Sequence, residues 1–591
     1  MTKPSLTPAQ AGAQITRYNL SWGSVLGAAI GPITYGFRQS TPNYDDPEFN
    51  LQGTFSKVTT SQMASIETAM RLWSNVANIT FTEVNPRGYT DNAAILFGNF
   101  TTLTNDSSGF GYLPENKNQS STSSDGDVWL NTYYTSMKTP VIGNDDYQTI
   151  LHEVGHALGL DHPGNYDSTT GVVISYELDA SYAEDTLQYT TMSYFNASIT
   201  GANHTYNGKT YYSVTPLLDD IAAVQRLYGA NNNFAKGDTV YGFHNTGDSA
   251  FSLTSSTQQL VACIWDGGGN DTIDMSGYTT RQVIDLNQGH FSDTGALTKN
   301  LSIAMGTVIE NAVGGSGDDV FFGNDADNQL RGNAGNDSLD GGKGNDTALY
   351  SSTARNYAII ASPQVIIVKD KFGTDGTDSL YNMETIAFTD RNVTIANLVK
   401  TATLSASQIV DLVELYVASF NRAPDALGLY YWGGRLSDGM SLQNIAKSFF
   451  DQPETVAAYP SSMANPTFVS KVYSNVLNRA ADSAGLTYWV NELQNGHVSR
   501  DSFLLTIING ARASTGSLTD QQTLSNKELV GAHYAINKGL SDLTWASQVM
   551  ASVTSLNSSV TSANANTDAF AMVAGVSATS ELTISIVGIA A

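Results

Sequence analysis

Four runs in the first quarter of the chain are rich in β-branched and aromatic residues and are bounded by turn formers. They are ITYGF at 33–37, NITFTEV at 78–84, AAILFGNF at 93–100 and DVWLN at 127–131, and each predicts a strand. Between the first two, Met63, Ile66, Met70 and Trp73 recur at helical spacing and predict an amphipathic helix. A second helix is expected to start near Tyr147. A third is expected over 216–230, where Pro216 sits at an allowed N-terminal position. From about 233 the pattern changes to Gly, Asp and Asn with short apolar pairs. One stretch there repeats at a period of nine: GGSGDDVFF (314–322), GNDADNQLR (323–331), GNAGNDSLD (332–340) and GGKGNDTAL (341–349). β-rich sequence continues to about 395, with VIIVKD and ETIAFTD. Residues 404–530 return to helical periodicity and hold a second repeat offset by 57 residues, LYVASFNRAPDALGLYYWGGRL (415–436) against VYSNVLNRAADSAGLTYWVNEL (472–493). From 539 onward there is no Lys or Arg, and the chain closes on ELTISIVGIAA.

At 591 residues the chain is too long for one hydrophobic core. These changes of texture divide it into a polar leader or propeptide (1–17), a mixed α and β domain (18–232), a β-rich domain (233–400), a helical module (401–555, repeats about 411–455 and 468–512) and a tail (556–591). Hydrophobic residues make up 41% of the chain, so most of it can fold. Its 55 acidic and 29 basic residues give a formal charge of −26. That balance argues against nucleic acid as a partner and suggests a hard cation, calcium first. Cys263 is the one cysteine, so no intramolecular disulfide forms. The N-terminus has no apolar run of signal-peptide length, and no segment reaches the length of a membrane span.

Three of the eight histidines fall within LHEVGHALGLDHPG, 151–164. His152 and His156 are four apart, so on a helix they share a face about one turn apart, within reach of one zinc ion. His162, continued as helix, would point roughly 120° away, so it joins them only if the helix stops. Gly159 provides the stop, since it enters the left-handed region without steric cost. Three ligands with an open fourth position mark a catalytic zinc. Glu153 lies beside a ligand but off the ligand face, and can accept a proton from a water that the metal acidifies.

The pattern His152-Glu153-x-x-His156-x-x-Gly159-x-x-His162 resembles the metzincin signature. Its surroundings are similar to the serralysins, secreted metalloendopeptidases of Gram-negative bacteria: HEVGHALGLDHPGNYD, SYAEDTLQYTTMSYF (181–195), TPLLDDIAAVQRLYGAN (215–231), IWDGGGNDTID (264–274) and the nonapeptides. The resemblance covers about 18–395. It implies an α+β metzincin catalytic domain, one zinc ion and protein or peptide substrates. Met192 is implied to be the Met-turn methionine beneath the metal. Tyr194 is implied to ligate zinc at rest and to hydrogen-bond the tetrahedral intermediate. Asn165 departs from the family's Asp. GFGYLP, 109–114, is the expected edge strand for aligning a substrate.

In the nonapeptides the first six positions suit a tight turn and the last three a short strand, with Phe321, Leu330 and Leu339 pointing inward. The sixth position holds Asp319, Asn328, Asp337 and Asp346. Stacked turns would gather carbonyl and side-chain oxygens around one ion. This resembles the parallel β-roll of RTX proteins, in which the turn of Asp319 faces that of Asp337 and the turn of Asn328 faces that of Asp346. Calcium ligands implied on these turns include Gly315, Gly317, Gly332, Ala334 and Gly341. Asn328 is neutral and Ala326 replaces the usual glycine, so the second row of turns should bind more weakly. The resemblance implies further calcium ligands at Gly237, Thr239, Asp266, Gly268, Gly269, Asp271 and Glu310.

Calcium-dependent folding makes a secreted or cell-surface location consistent with the lack of an N-terminal signal: the carboxylate turns stay unfolded until a cation neutralises them. RTX proteins leave through one-step ABC-type exporters that read a C-terminal signal, and the base-free tail fits that pattern. The paired N-R-x-x-D-x-x-G-L-x-Y-W blocks resemble a helical module appended to large secreted bacterial proteins. There Trp432 and Trp489 are expected in the core, and attachment to a cell surface, a surface layer or a glycan is the functional expectation. The leading expectation is a calcium-stabilised zinc endopeptidase. The alternative is a calcium-dependent adhesin or surface-layer component on a protease-like scaffold. A processing protease for one surface protein is a third. The presence of Glu153 favours an enzyme over a decayed site.

Overall fold

The computed structural model describes residues 3–46, 49–103, 107–117, 119–120, 122–167, 173–362, 364–576 and 581–586. The chain forms two compact units, 1–330 and 331–591. This division falls inside the nonapeptide stretch.

The first unit opens with a helix, Pro8–Ile15, whose N-terminus carries a capping box between Thr7 and Gln10. Ala11 and Ile15 are buried. A Cβ on Gly12 would lie 2.8 Å from the Ala222 backbone, so glycine allows this helix to press on helix Leu218–Tyr228. The stretch expected to be a polar leader is therefore a packed element. Its apolar residues are too few for a periodicity argument to find.

Behind it lies a five-stranded sheet of β1 (Ile30–Phe37), β2 (Ile79–Glu83), β3 (Ile95–Phe100), β4 (Gly109–Gly111) and β5 (Val128–Asn131), in the order β2-β1-β3-β5-β4. The pairs are parallel except β4 with β5, so the short edge strand runs antiparallel to its neighbour. Helix Thr60–Val76 buries Met63, Ile66, Met70 and Trp73, the four positions the periodicity picks out. Their core also contains Phe37, Phe97, Leu151, Val154, Met192, Val224 and Leu227. Trp73 Nε1 donates to the Leu151 carbonyl at 3.1 Å, tying this helix to the histidine-bearing one. Short parallel strands follow in this unit: Val240–Gly242 pairs Thr272–Asp274, which pairs Asn311–Val313, and Val283–Asp285 pairs Val320–Phe322. Phe321 and Leu330 point inward and are buried.

In the second unit Ser338–Asp340 pairs in parallel with Thr377–Tyr381, and Thr347–Leu349 with Thr385–Ala387. Leu339 is buried. Helices occupy most of the chain from Ile395 to Ala574. Their repeat has a structural explanation. Asn421 and Asn478 end equivalent helices in the left-handed conformation, φ 52° and 53°. Asp425 and Asp482 then cap the next helices through the Gly428 and Gly485 N–H groups. Arg422 and Arg479 pair with Glu454 and Asp520. Trp432 and Trp489 pack against the helical core. In the tail, Asn557–Ala574 is a helix, and Thr583–Ile586 joins Tyr357–Ala361 as a parallel strand. Residues 577–580 and 587–591 of the expected signal lie outside the described residues.

Candidate metal centre

Helix Asp145–Ala157 carries His152, Glu153 and His156. Asn144 caps it by accepting from Tyr147 N at 3.1 Å, and Asp145 and Asp146 stand in the first turn where the helix dipole favours them. Its end is a Schellman turn: Leu160 N donates to Gly155 O and Gly159 N to His156 O, at 3.0 and 2.8 Å, with Gly159 at φ +101°. The carbonyls of Ala157 and Leu158 accept from Trp22 Nε1 and the Tyr228 hydroxyl. A Cβ at Gly159 would meet the Leu20 carbonyl oxygen at 2.1 Å. Glycine is therefore required twice, for the reversal and for the close approach.

The reversal brings His162 back to the helix. Its Nε2 lies 3.2 Å from Nε2 of His152 and 3.2 Å from Nε2 of His156. Each Nδ1 faces a carbonyl oxygen: Thr191 at 2.8 Å, Leu160 at 2.7 Å and Tyr166 at 2.8 Å. Nδ1 therefore carries the proton, and three Nε2 lone pairs converge. Burial and the neighbouring imidazoles push all three pKa values down to about 3, which keeps the rings neutral. Nitrogens at zinc-ligand distance around one tetrahedral ion stand about 3.3 Å apart, so the donor set fits zinc. Among the described residues this is the one group of three or more potential ligands whose ligand atoms lie within 4.8 Å of one another.

Glu153 is buried, and its Oε2 has no hydrogen-bond partner. Burial holds its pKa well above the ordinary carboxylate range, Asp167 adds to the shift, and the Gly111 N–H partly offsets it. Edge strand β4 lies directly on the helix, since a Cβ at Gly111 would come 2.6 Å from the Glu153 carbonyl oxygen. Met192 lies under the helix, with its Sδ against Gly155 and no solvent exposure. The Tyr194 ring stands 4.6 Å from the His162 ring, centroid to centroid, and is 39% exposed, whereas the three imidazoles are buried. These groups line a cleft of about 500 Å³ that also includes Arg17, Tyr18, Phe49, Phe110 and Asp161.

Three groups outside the motif contact the backbone around the ligands. Asp220 accepts from the Thr191 N–H and hydroxyl and from Thr190, fixing the carbonyl that receives the His152 proton. Asp185 accepts from the Tyr166 hydroxyl at 2.8 Å and so steadies the carbonyl beneath His162. Arg17 grips the loop that carries His162. Asp185 and Asp220 both fall in the quoted stretches 181–195 and 215–231, whereas Arg17 lies outside every quoted motif.

The residues expected to hold calcium after 232 also meet. Thr239 N donates to Asp271 at 2.7 Å, Asp271 N to Glu310 at 2.8 Å, and Gly268 N to Asp266 at 2.7 Å. The Thr239 hydroxyl donates to the Gly237 carbonyl, and a Cβ on Gly269 would crowd Gly237 and Asp271. Burial first, then Asp266 and Glu310, raise the Asp271 pKa to about 7. A hard divalent cation suits such crowded oxygens. Asp319 accepts from Gly315 N and Gln282 N, while Asn328 accepts from Asn324 N and donates to the Glu310 carbonyl. A Cβ on Gly317 would come 2.6 Å from Arg281 N. In the second unit Gly332 and Gly341 lie against the carboxyls of Asp337 and Asp346, both buried, and Ala334 sits half-buried in its turn.

Residues 45–185 match the matrixin family, residues 230–423 the C-terminal family of M10 serralysin peptidases, and residues 446–512 a domain family of unknown function. Metallopeptidase AprA of Pseudomonas marginalis is 43% identical over 327 residues, which is 55% of this chain and 66% of the relative. Serralysin G of Dickeya chrysanthemi is 43% identical over 329 residues, covering 54% and 66%. Serralysin of Photorhabdus luminescens is 41% identical over 302 residues, covering 50% and 58%. The chain thus spans just under two thirds of the length of these relatives at most.

Proposed function

The matched part of this chain belongs with the serralysin-type metzincins, and from that premise we propose that the protein is a secreted, calcium-stabilised zinc endopeptidase. The observation that carries the reading is the convergence of three neutral imidazoles beside a buried carboxylate in an open cleft. His152, His156 and His162 hold the zinc, which supplies Lewis-acid activation of a water and of the scissile carbonyl. Glu153 takes the proton from the attacking water and passes it to the departing amine. Tyr194, exposed at the rim beside His162, donates a hydrogen bond to the developing oxyanion. Edge strand β4 offers backbone groups to an extended peptide, and the antiparallel β4–β5 pair sets its direction.

Calcium is the second cofactor of this reading. The carboxylates around Asp271 and the nonapeptide turns, proposed as a parallel β-roll, are its ligands. Export through a one-step ABC-type machine follows from the same resemblance. The test is to measure zinc content and casein hydrolysis of the purified protein together. One zinc per chain with hydrolysis that stops on zinc removal is expected, and zinc-free protein with undiminished activity overturns the reading.

A further inference from the structure

His152 and His156 are fixed by a rigid helix, whereas His162 sits on a loop after the Gly159 reversal. Such a ligand keeps its place only if something outside the loop holds its backbone. One guanidinium does most of that work. Arg17 Nη1 donates to the His162 carbonyl at 2.6 Å and to the Gln14 carbonyl at 3.1 Å. Its Nη2 faces the Gly164 carbonyl at 3.4 Å and the Asn165 side chain at 3.3 Å, and pairs with Asp161 Oδ2 at 2.6 Å. The neighbouring residues continue the strap. Gln14 Nε2 donates to the Pro163 carbonyl at 3.0 Å, and the Ile15 carbonyl accepts from Asp161 N at 2.9 Å. Asp161 in turn accepts from the His162 N–H at 2.8 Å. Apart from the local Arg17–Gln14 and Asp161–His162 bonds, these contacts run from residues 14–17 to residues 161–165, almost 150 positions away.

We propose that Arg17 is a positioning residue for the third metal ligand, holding His162 so that the zinc site is preorganised. This rests on the zinc reading above. A planar fork reaches a carbonyl, an amide and a carboxylate at once, which a lysine cannot do. Without it, the entropy of ordering residues 160–166 would oppose metal binding, and the loop ligand would be the first to detach. One consequence concerns maturation. Any processing of the N-terminus that removed Arg17 would remove this brace, so the active form retains Gln14, Ile15 and Arg17.

The test compares wild-type, Arg17→Ala and Arg17→Lys full-length proteins in calcium. Zinc release is followed into excess 1,10-phenanthroline, which leaves calcium in place. Outer-shell partners of metal ligands are worth about 10- to 100-fold in affinity or activity, so Arg17→Ala should release zinc roughly 10- to 100-fold faster. Arg17→Lys should fall between it and wild type. Zinc-loaded Arg17→Ala should show a lower kcat with KM nearly unchanged, and its zinc-free thermal midpoint should stay near that of zinc-free wild type. Wild-type release rates in either folded variant overturn the proposal. A fall in the zinc-free midpoint proportional to the faster release also overturns it, as general loosening. If Arg17→Ala does not fold, Arg17→Lys decides. N-terminal sequencing of the active protein gives an independent arm: an active form that lacks Arg17 yet keeps full zinc overturns it too. Wild-type protein that holds no zinc sinks the functional reading along with this one, and its own metal content distinguishes that failure.

Discussion

Glu153 and His156 lie on the same helix, three residues apart, and both are buried, but the reaction asks different things of them. His156 aims a neutral Nε2 at the other two imidazoles, while Glu153 keeps an unpartnered oxygen. Glu153→Ala is therefore expected to retain stoichiometric zinc and to lose about 10²- to 10⁴-fold in peptide hydrolysis, the usual worth of a general base. His156→Ala should lose zinc and activity together. Metal analysis beside a peptidase assay separates the two, and a fully active Glu153→Ala would refute the mechanism. Tyr194 is more exposed than the three imidazoles, with its ring beside that of His162. Its hydrogen bond forms mainly as the oxyanion develops, so Tyr194→Phe should keep zinc and lower kcat with little change in KM. A variant that raises KM alone would instead make Tyr194 a ground-state binding group.

At the level of elements, two close approaches carry measurable consequences. The active-site helix ends where Gly159 takes φ +101° against the Leu20 carbonyl. Gly159→Ala would meet left-handed strain of about 1–3 kcal/mol and a clash besides. Chemical denaturation should show a loss of at least that size, accompanied by weaker zinc binding because His162 follows the turn. The second approach is in the C-terminal strand. Ile584 is fully buried, its N–H donates to the Gly539 carbonyl, and its own carbonyl accepts from the Tyr430 hydroxyl. Ile584→Ala is expected to destabilise the second unit by about 2–5 kcal/mol. An unchanged denaturation midpoint would mean that the strand contributes nothing. The strand also alters how an export experiment is read, because deleting residues 561–591 removes packed structure along with any signal.

For the whole molecule, the acidic surplus of −26 includes a set of carboxylates brought to close range by the turns after residue 232. Asp266, Asp271, Asp319, Asp337 and Asp346 are all buried, an arrangement that repulsion opposes until a cation enters. Adding EGTA should thus expose residues 233–395 to an external protease and weaken their β-signal in circular dichroism, with calcium restoring both. Protection unchanged in EGTA would remove calcium from the account of stability.

Much of the catalytic region was legible in the sequence because its signals are local. Met63, Ile66, Met70 and Trp73 announce a buried helical face, His152 and His156 lie one turn apart, and Gly159 marks the reversal, each through contacts a few residues long. The paired Asn-Arg and Asp positions recur for an equally local reason, since they end one helix and cap the next. Tertiary structure decided what no spacing encodes. Arg17 reaches His162 across 145 positions, and Asp220 holds the Thr191 backbone from a later helix. A terminal stretch read from its composition alone docks as a strand beside residues 357–361. Periodicity reports which face of an element is buried; the partner that buries it is chosen by the path of the whole chain, which packs residues 8–15 on helix Leu218–Tyr228 and residues 583–586 on strand Tyr357–Ala361.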